Sequence, residues 1–70
     1  MEGEDSADRL KKLRSITGMS QSRFAKYFGV SVRSIQGWEQ GQKQPPTYLI
    51  PLMERILVLE GWELEEKKKF

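Results

Sequence analysis

Met19-Ser20-Gln21-Ser22-Arg23-Phe24-Ala25-Lys26-Tyr27-Phe28-Gly29-Val30-Ser31-Val32-Arg33-Ser34-Ile35-Gln36-Gly37-Trp38-Glu39-Gln40-Gly41 is the stretch that decides the fold. Ser20 stands where an N-cap belongs, its hydroxyl placed to accept from a first-turn N–H. Phe24, Ala25 and Phe28 follow at helical spacing, with Tyr27 at the edge of the stripe. Gly29 ends that helix at a turn position needing positive φ, where a Cβ would cost about 1 kcal/mol or more. Ser31 caps a further helix, in which Val32, Ile35 and Trp38 form the apolar stripe and Gly41 is the stop. The spacing thus predicts an eight-residue helix from Gln21, a tight turn, and a nine-residue helix over 32–40. Ala25 must be small because the two helices cross above it. Val30 and Ile35 plug the corner, and Trp38 closes the core beneath.

Working upstream, Ser6 reads as an N-cap with Asp8 and Arg9 in the first turn, and Leu10, Leu13, Ile16 and Thr17 form one stripe of a first helix that Gly18 stops. Residues 1–5 lack apolar periodicity and read as a disordered acidic tail. Downstream, Pro45-Pro46 forces an extended link, because the residue before a proline avoids the α region. A fourth helix begins near Tyr48 with Pro51 in its first turn, where a missing N–H costs least. Leu49, Leu52, Met53, Ile56 and Leu57 then repeat up to Gly61. Residues 62–70 offer Glu63–Lys67 and Glu65–Lys69 pairs, and the sequence leaves open whether they extend a helix or form a tail. The organisation expected is therefore a tail over 1–5, a domain over 6–61 and a terminal stretch over 62–70. No strand alternation and no fixed-period repeat occurs. The fold class is all-α, a compact bundle of four to five short helices.

Composition narrows the chemistry. The chain has 70 residues, and domains of this size bury only about 60% of their unfolded surface. With no cysteine and no histidine, disulfides, zinc sites and histidine acid–base catalysis are excluded, and no cofactor or metal is expected. Nothing pairs a nucleophile with a base, and so small a chain leaves little concave space, so an enzyme is rejected. The longest apolar run, Ile56-Leu57-Val58-Leu59, is far short of the ~20 residues that span a bilayer. The acids Glu2, Glu4, Asp5 and Asp8 give the N-terminus the wrong charge for a signal peptide. A cytosolic protein without a membrane partner is expected.

The net charge of +2 conceals an asymmetry. Residues 1–8 carry −4 and residues 44–70 carry −1. Residues 9–43 carry +7, with Arg9, Lys11, Lys12, Arg14, Arg23, Lys26, Arg33 and Lys43 against the single acid Glu39. Such a block marks either a solvated lysine-rich face or a surface turned to phosphates. The Gln21–Gln40 corner favours the second, because in helix-turn-helix geometry the second helix of the pair is offered to the major groove.

The Met19–Gly41 stretch, with its "SQ…FA…GVS…WE.G…P" pattern continued at Pro45, resembles the small Cro/repressor-type (XRE-like) helix-turn-helix regulators of phages and bacteria, which include antitoxins. The resemblance covers about residues 9–59. It implies a DNA-binding transcriptional regulator with a lambda-repressor-like fold, usually dimeric. It places Gln21 on a phosphate at the head of its helix and makes Arg33, Gln36 and Gly37 groove-facing, with Ser31 and Val32 at the leading end. Val32 has no hydrogen bond to give a base, so a thymine methyl is the best it can meet. Gln40 and Lys43 match backbone-contacting positions, and Arg14 and Glu39 match an internal ion pair.

Double-stranded DNA is thus the expected partner, and a homodimer on DNA the expected state, with part of Leu52, Ile56, Leu59 or Trp62 meeting a second copy. Two rival readings are an antitoxin with a toxin partner, for which residues 60–70 or 1–8 would have to supply the contact, and a protein-interaction module on the same fold. The +7 block argues against the module.

Overall fold

In a computed structural model, residues 5–64 are described. They form four helices, α1 (Ser6–Thr17), α2 (Gln21–Phe28), α3 (Val32–Glu39) and α4 (Leu49–Leu59), and no strand occurs among the described residues. None of these helices is long and apolar enough to cross a membrane.

The helix ends follow from local chemistry, with two shifts. Asp5, not Ser6, caps α1: its backbone is extended and its carboxylate accepts from the Asp8 N–H at 2.9 Å. A carboxylate satisfies that N–H as a serine would and adds attraction to the positive end of the helix dipole. Asp5 therefore belongs to the helix rather than to the tail. Ser20 caps α2 by accepting from Arg23 N–H at 3.1 Å, and Ser31 caps α3 by accepting from Ser34 N–H at 3.0 Å. Gly29 takes φ 74° in the corner between them. α3 closes at Glu39, one residue earlier than expected, with Gln40 as its C-cap. α4 has no side-chain cap. Pro51 is its third residue, where the absent N–H would have no intrahelical partner anyway.

The core consists of Leu10 and Leu13 from α1, Phe24 and Ala25 from α2, Ile35 from α3, and Ile50, Met53 and Leu57 from α4. Helix α1 packs on α3 and α4, and α2 packs on α3. Two stripes differ in part from their expected setting, although Ile35, Trp38, Leu49, Met53 and Leu57 face the core as expected. In α4 the inward positions are Ile50, Met53 and Leu57, which leaves Leu52 45% exposed and Ile56 half-buried. In α3, Val32 stands on the first turn with 37% exposure, off the core that Ile35 enters.

Residues 60–64, which follow α4, do not continue it as a helix. Trp62 N–H returns to the Leu57 carbonyl at 2.9 Å, and its indole N–H donates to the Tyr27 hydroxyl at 3.3 Å. That hydroxyl in turn donates to the Glu60 carboxylate. Residues 62–64 thus fold back against α2. The acids Glu2 and Glu4, the lysines of 67–69 and the far partners of the Glu63 and Glu65 pairs lie outside the described residues.

Candidate nucleic-acid interface

At 100° per residue, a short helix docked through Ile35, Trp38 and Glu39 must turn Arg33, Gln36 and Gln40 outward. All three are exposed, and Ser31 and Val32, exposed in the first turn, lie at the leading edge of that face. The Ser31 hydroxyl is occupied by the cap, since it accepts from Ser34 N–H and donates to the Ser34 hydroxyl at 3.0 Å.

The inner side of α3 is tied by an ionic knot. Glu39 is buried. Its Oε2 accepts from Arg14 Nε at 2.7 Å and its Oε1 from Arg14 Nη2 at 2.9 Å, a bidentate fork. Gln21 Nε2 donates to the same Oε1 at 3.0 Å, and Arg14 Nη1 donates to the Met19 carbonyl at 3.1 Å. Helices α1, α2 and α3 therefore meet at one carboxylate. Burial pushes the Glu39 carboxyl up, but the hydrogen bonds from Arg14 and Gln21, with the attraction of Arg14 and Lys11, outweigh it and hold it below its ordinary range. Donation to the Glu39 carboxylate raises Arg14, against the opposing effect of burial.

This knot settles the electrostatics of the outer side. Glu39 is the single acid among residues 9–43, and it is withdrawn and neutralised inside. Arg9 is partnered with Glu54 at 3.4 Å, and Lys11 lies 4.0 Å from Asp8. Arg33 and Lys43 are exposed and form no salt bridge among the described residues, and the same holds for Arg23 and Lys26 on α2.

Two expected site residues are placed differently. The Gln21 side chain turns inward to Glu39, so its amide donor is committed within the chain. What remains at the head of α2 is main-chain N–H, which has no partner inside a first turn. Gly37 is buried rather than open to a groove. Its carbonyl accepts from Gln42 N–H at 3.0 Å and Lys43 N–H at 3.3 Å, which folds the following loop back onto the helix. A Cβ at Gly37 would lie 3.8 Å from Cγ and Cδ of Lys43. The lysine stem thus covers the glycine, a contact that no local sequence signal announces, because it depends on how the loop closes.

The face gathers Val32, Arg33, Gln36, Gln40 and Lys43, with Ser31 at its leading edge and Gln21 behind it. It holds exposed donors without a carboxylate, an arrangement suited to a polyanion. Among the described residues no acidic cluster of metal-binding kind occurs. A family model described as helix-turn-helix matches residues 9–57. Comparison with curated proteins and with solved structures gives no match.

Proposed function

Since the chain belongs to the Cro/C1-type helix-turn-helix family of DNA-binding regulators through residues 9–57, we propose that it is a sequence-specific, repressor-like regulator that lays α3 into the major groove. One observation carries this reading: the outer side of α3 presents Arg33, Gln36 and Gln40 together, while Glu39, the single acid of residues 9–43, is locked inside by Arg14 and Gln21. Arg33, in the second position of α3, offers a guanidinium that can donate twice to guanine O6 and N7. Gln36 and Gln40 lie beside it for base edges and backbone. Val32 meets a thymine methyl, and Ser31 orients the head of the helix. The main-chain N–H at Gln21 receives a phosphate, as helix N-termini do.

The same reading takes a second copy. Leu52, Val58 and Leu59 are 45%, 57% and 82% exposed on the outer side of α4. Trp62 is spent on Tyr27 within the chain, so the apolar contact falls to Leu52 and Leu59 with Val58. Pairing two copies there would set two α3 helices about 34 Å apart, one turn of DNA.

Selection from a randomised duplex library tests the proposal. Wild type should enrich a motif containing an inverted repeat, and Arg33→Ala should bind the selected site about 10-fold to 100-fold more weakly, with preference blurred at one base pair. Failure of wild type to enrich any motif would remove sequence-specific binding. A motif without an inverted repeat would remove the dimer. Equal weakening of cognate and scrambled duplexes by Arg33→Ala would make Arg33 a phosphate ligand instead.

A further inference from the structure

Helical spacing puts Gly37 on the outer side of α3, one turn beyond Arg33 and next to Gln36 and Gln40, yet it is the one residue of that side withdrawn from solvent. What hides it is Lys43. The two loop N–H bonds to the Gly37 carbonyl draw the backbone of Gln42 and Lys43 back over the helix, and the Lys43 methylenes then lie across the glycine, 3.8 Å from where a Cβ would stand. A Cβ there would stand in ordinary contact with the stem, and a longer side chain at position 37 would compete with the stem for the same space. Beyond Cδ only Cε and the ammonium remain, and that ammonium has no salt bridge among the described residues and is exposed. Lys43 lies four residues beyond the end of α3 and reaches its reading side across Gly37, where no side chain stands in the way.

We propose that Lys43 is a specificity-determining residue: it stands in for the missing side chain at Gly37 and reads a guanine in the major groove through O6 and N7, at a base pair different from that of Arg33. This deepens the function proposed above and rests on it. Lysine is suited to the task, since a compact ammonium can donate to both guanine acceptors at once. The alternative for a loop lysine is a phosphate, which it would hold with equal strength on every sequence. Gly37 is then a positioning residue, acting only through the lysine that it seats.

The test compares wild type, Lys43→Ala and Gly37→Gln by library selection, and by binding of each to the wild-type motif and to its single-base-pair variants at several salt concentrations. Thermal melts of all three confirm that each is folded. Lys43→Ala should erase preference for guanine at one position, with an affinity loss of about 10-fold to 100-fold on the wild-type motif and much less on duplexes already lacking that guanine. Gly37→Gln fills the seat with its own amide and displaces the stem, so it should alter preference at that same position and leave the Arg33 position as it was. A uniform loss in Lys43→Ala over all duplexes, with a salt slope reduced by about one counterion, would overturn the proposal and make Lys43 a backbone ligand. So would an unchanged base preference in both variants. Failure of the underlying reading shows separately, because wild type would then select no motif at all.

Discussion

The two sides of α3 treat charge in opposite ways. On the inner side, the Glu39 carboxylate receives three hydrogen bonds from Arg14 and Gln21, which come from two other helices. On the outer side, Arg33 and Lys43 are exposed and have no carboxylate partner among the described residues. A buried ion pair contributes little net stability beyond what apolar packing in its place would give, yet removal of one member is expensive. Its value here is registration: it fixes α3 against α1 and α2 at one carboxylate. An eight-residue helix could not form alone in water, so its outer side can be rigid only because its inner side is tied. The inner charges hold a position and the outer ones are left for a partner.

The largest expected effect comes from breaking the inner side. Glu39→Gln leaves the Arg14 guanidinium without its anion and should cost about 3 kcal/mol, a fall in melting temperature of more than about 10 °C for a domain of this size. Glu63→Gln, on an exposed position, is the control, and equal falls in the two variants would refute the knot. The pH dependence follows with a definite sign. The folded Glu39 carboxyl titrates below its ordinary 4.5, so between the folded and unfolded values the unfolded chain binds more protons. The stabilisation is then complete above about pH 4.5 and is lost as pH falls through the folded value. Wild type should lose melting temperature on acidification across that window more steeply than Glu39→Gln. Parallel acid limbs would mean that some other carboxylate governs acid unfolding.

Both sides were not equally legible from sequence. The corner was, since Ser20, Gly29 and Ser31 are local devices whose effect is decided within four residues, and periodicity places Phe24, Ala25 and Ile35 inward. The capping of α1 was misplaced by one because Asp5 and Ser6 are both good caps, and pattern alone does not choose between them. In α4 the expected stripe has Met53 and Leu57 inward, as they are, but it takes in Leu52 and leaves out Ile50, because both stand next to the stripe at helical spacing. Which of the two is buried depends on how α4 docks against α1. Lys43 over Gly37 and Trp62 on Tyr27 were invisible for a related reason: both are made by chain leaving a helix and turning back, which no period encodes. The Arg14–Glu39 geometry was suggested by family resemblance and not by spacing.

A smaller effect sharpens the boundary between the two sides, since Gln21 stands where they meet. Gln21→Ala removes one hydrogen bond from a carboxylate that keeps both bonds from Arg14, so Glu39 is not stranded. Loss of a single bond to a charged group predicts a stability decrease of about 1.5 kcal/mol, half that of Glu39→Gln. The main-chain N–H at the head of α2 survives this change, so DNA affinity of the folded protein should fall less than about twofold at low salt. A uniform tenfold loss on all duplexes, with a shallower salt slope, would show that the side chain itself holds a phosphate.

The smallest effect is expected at the contact that turns the chain back after α4. The Tyr27 hydroxyl donates to Glu60 and accepts from the Trp62 indole, and among the described residues none of these side chains bonds to α3. The hydrogen bond to Glu60 raises the phenol above its usual 10.0, against the opposing bond from Trp62, with burial and the Glu60 charge adding to the rise. A raised phenol pKa means that the contact is fully present below pH 10 and loosens as pH climbs through the raised value. Tyr27→Phe keeps the ring that meets Phe28 edge-on at 5.0 Å and removes only the hydroxyl. Its melting temperature should stay closer to wild type than that of Gln21→Ala, while tryptophan emission shifts as the indole exchanges the phenol oxygen for water. The alkaline change in emission seen in wild type should disappear in this variant. Base preference should be untouched, because no residue of the outer side of α3 bonds to this cluster. A change in the selected motif on Tyr27→Phe would show that the two regions are coupled, and the separation between an inner side that holds and an outer side that reads would have to be redrawn to include α2.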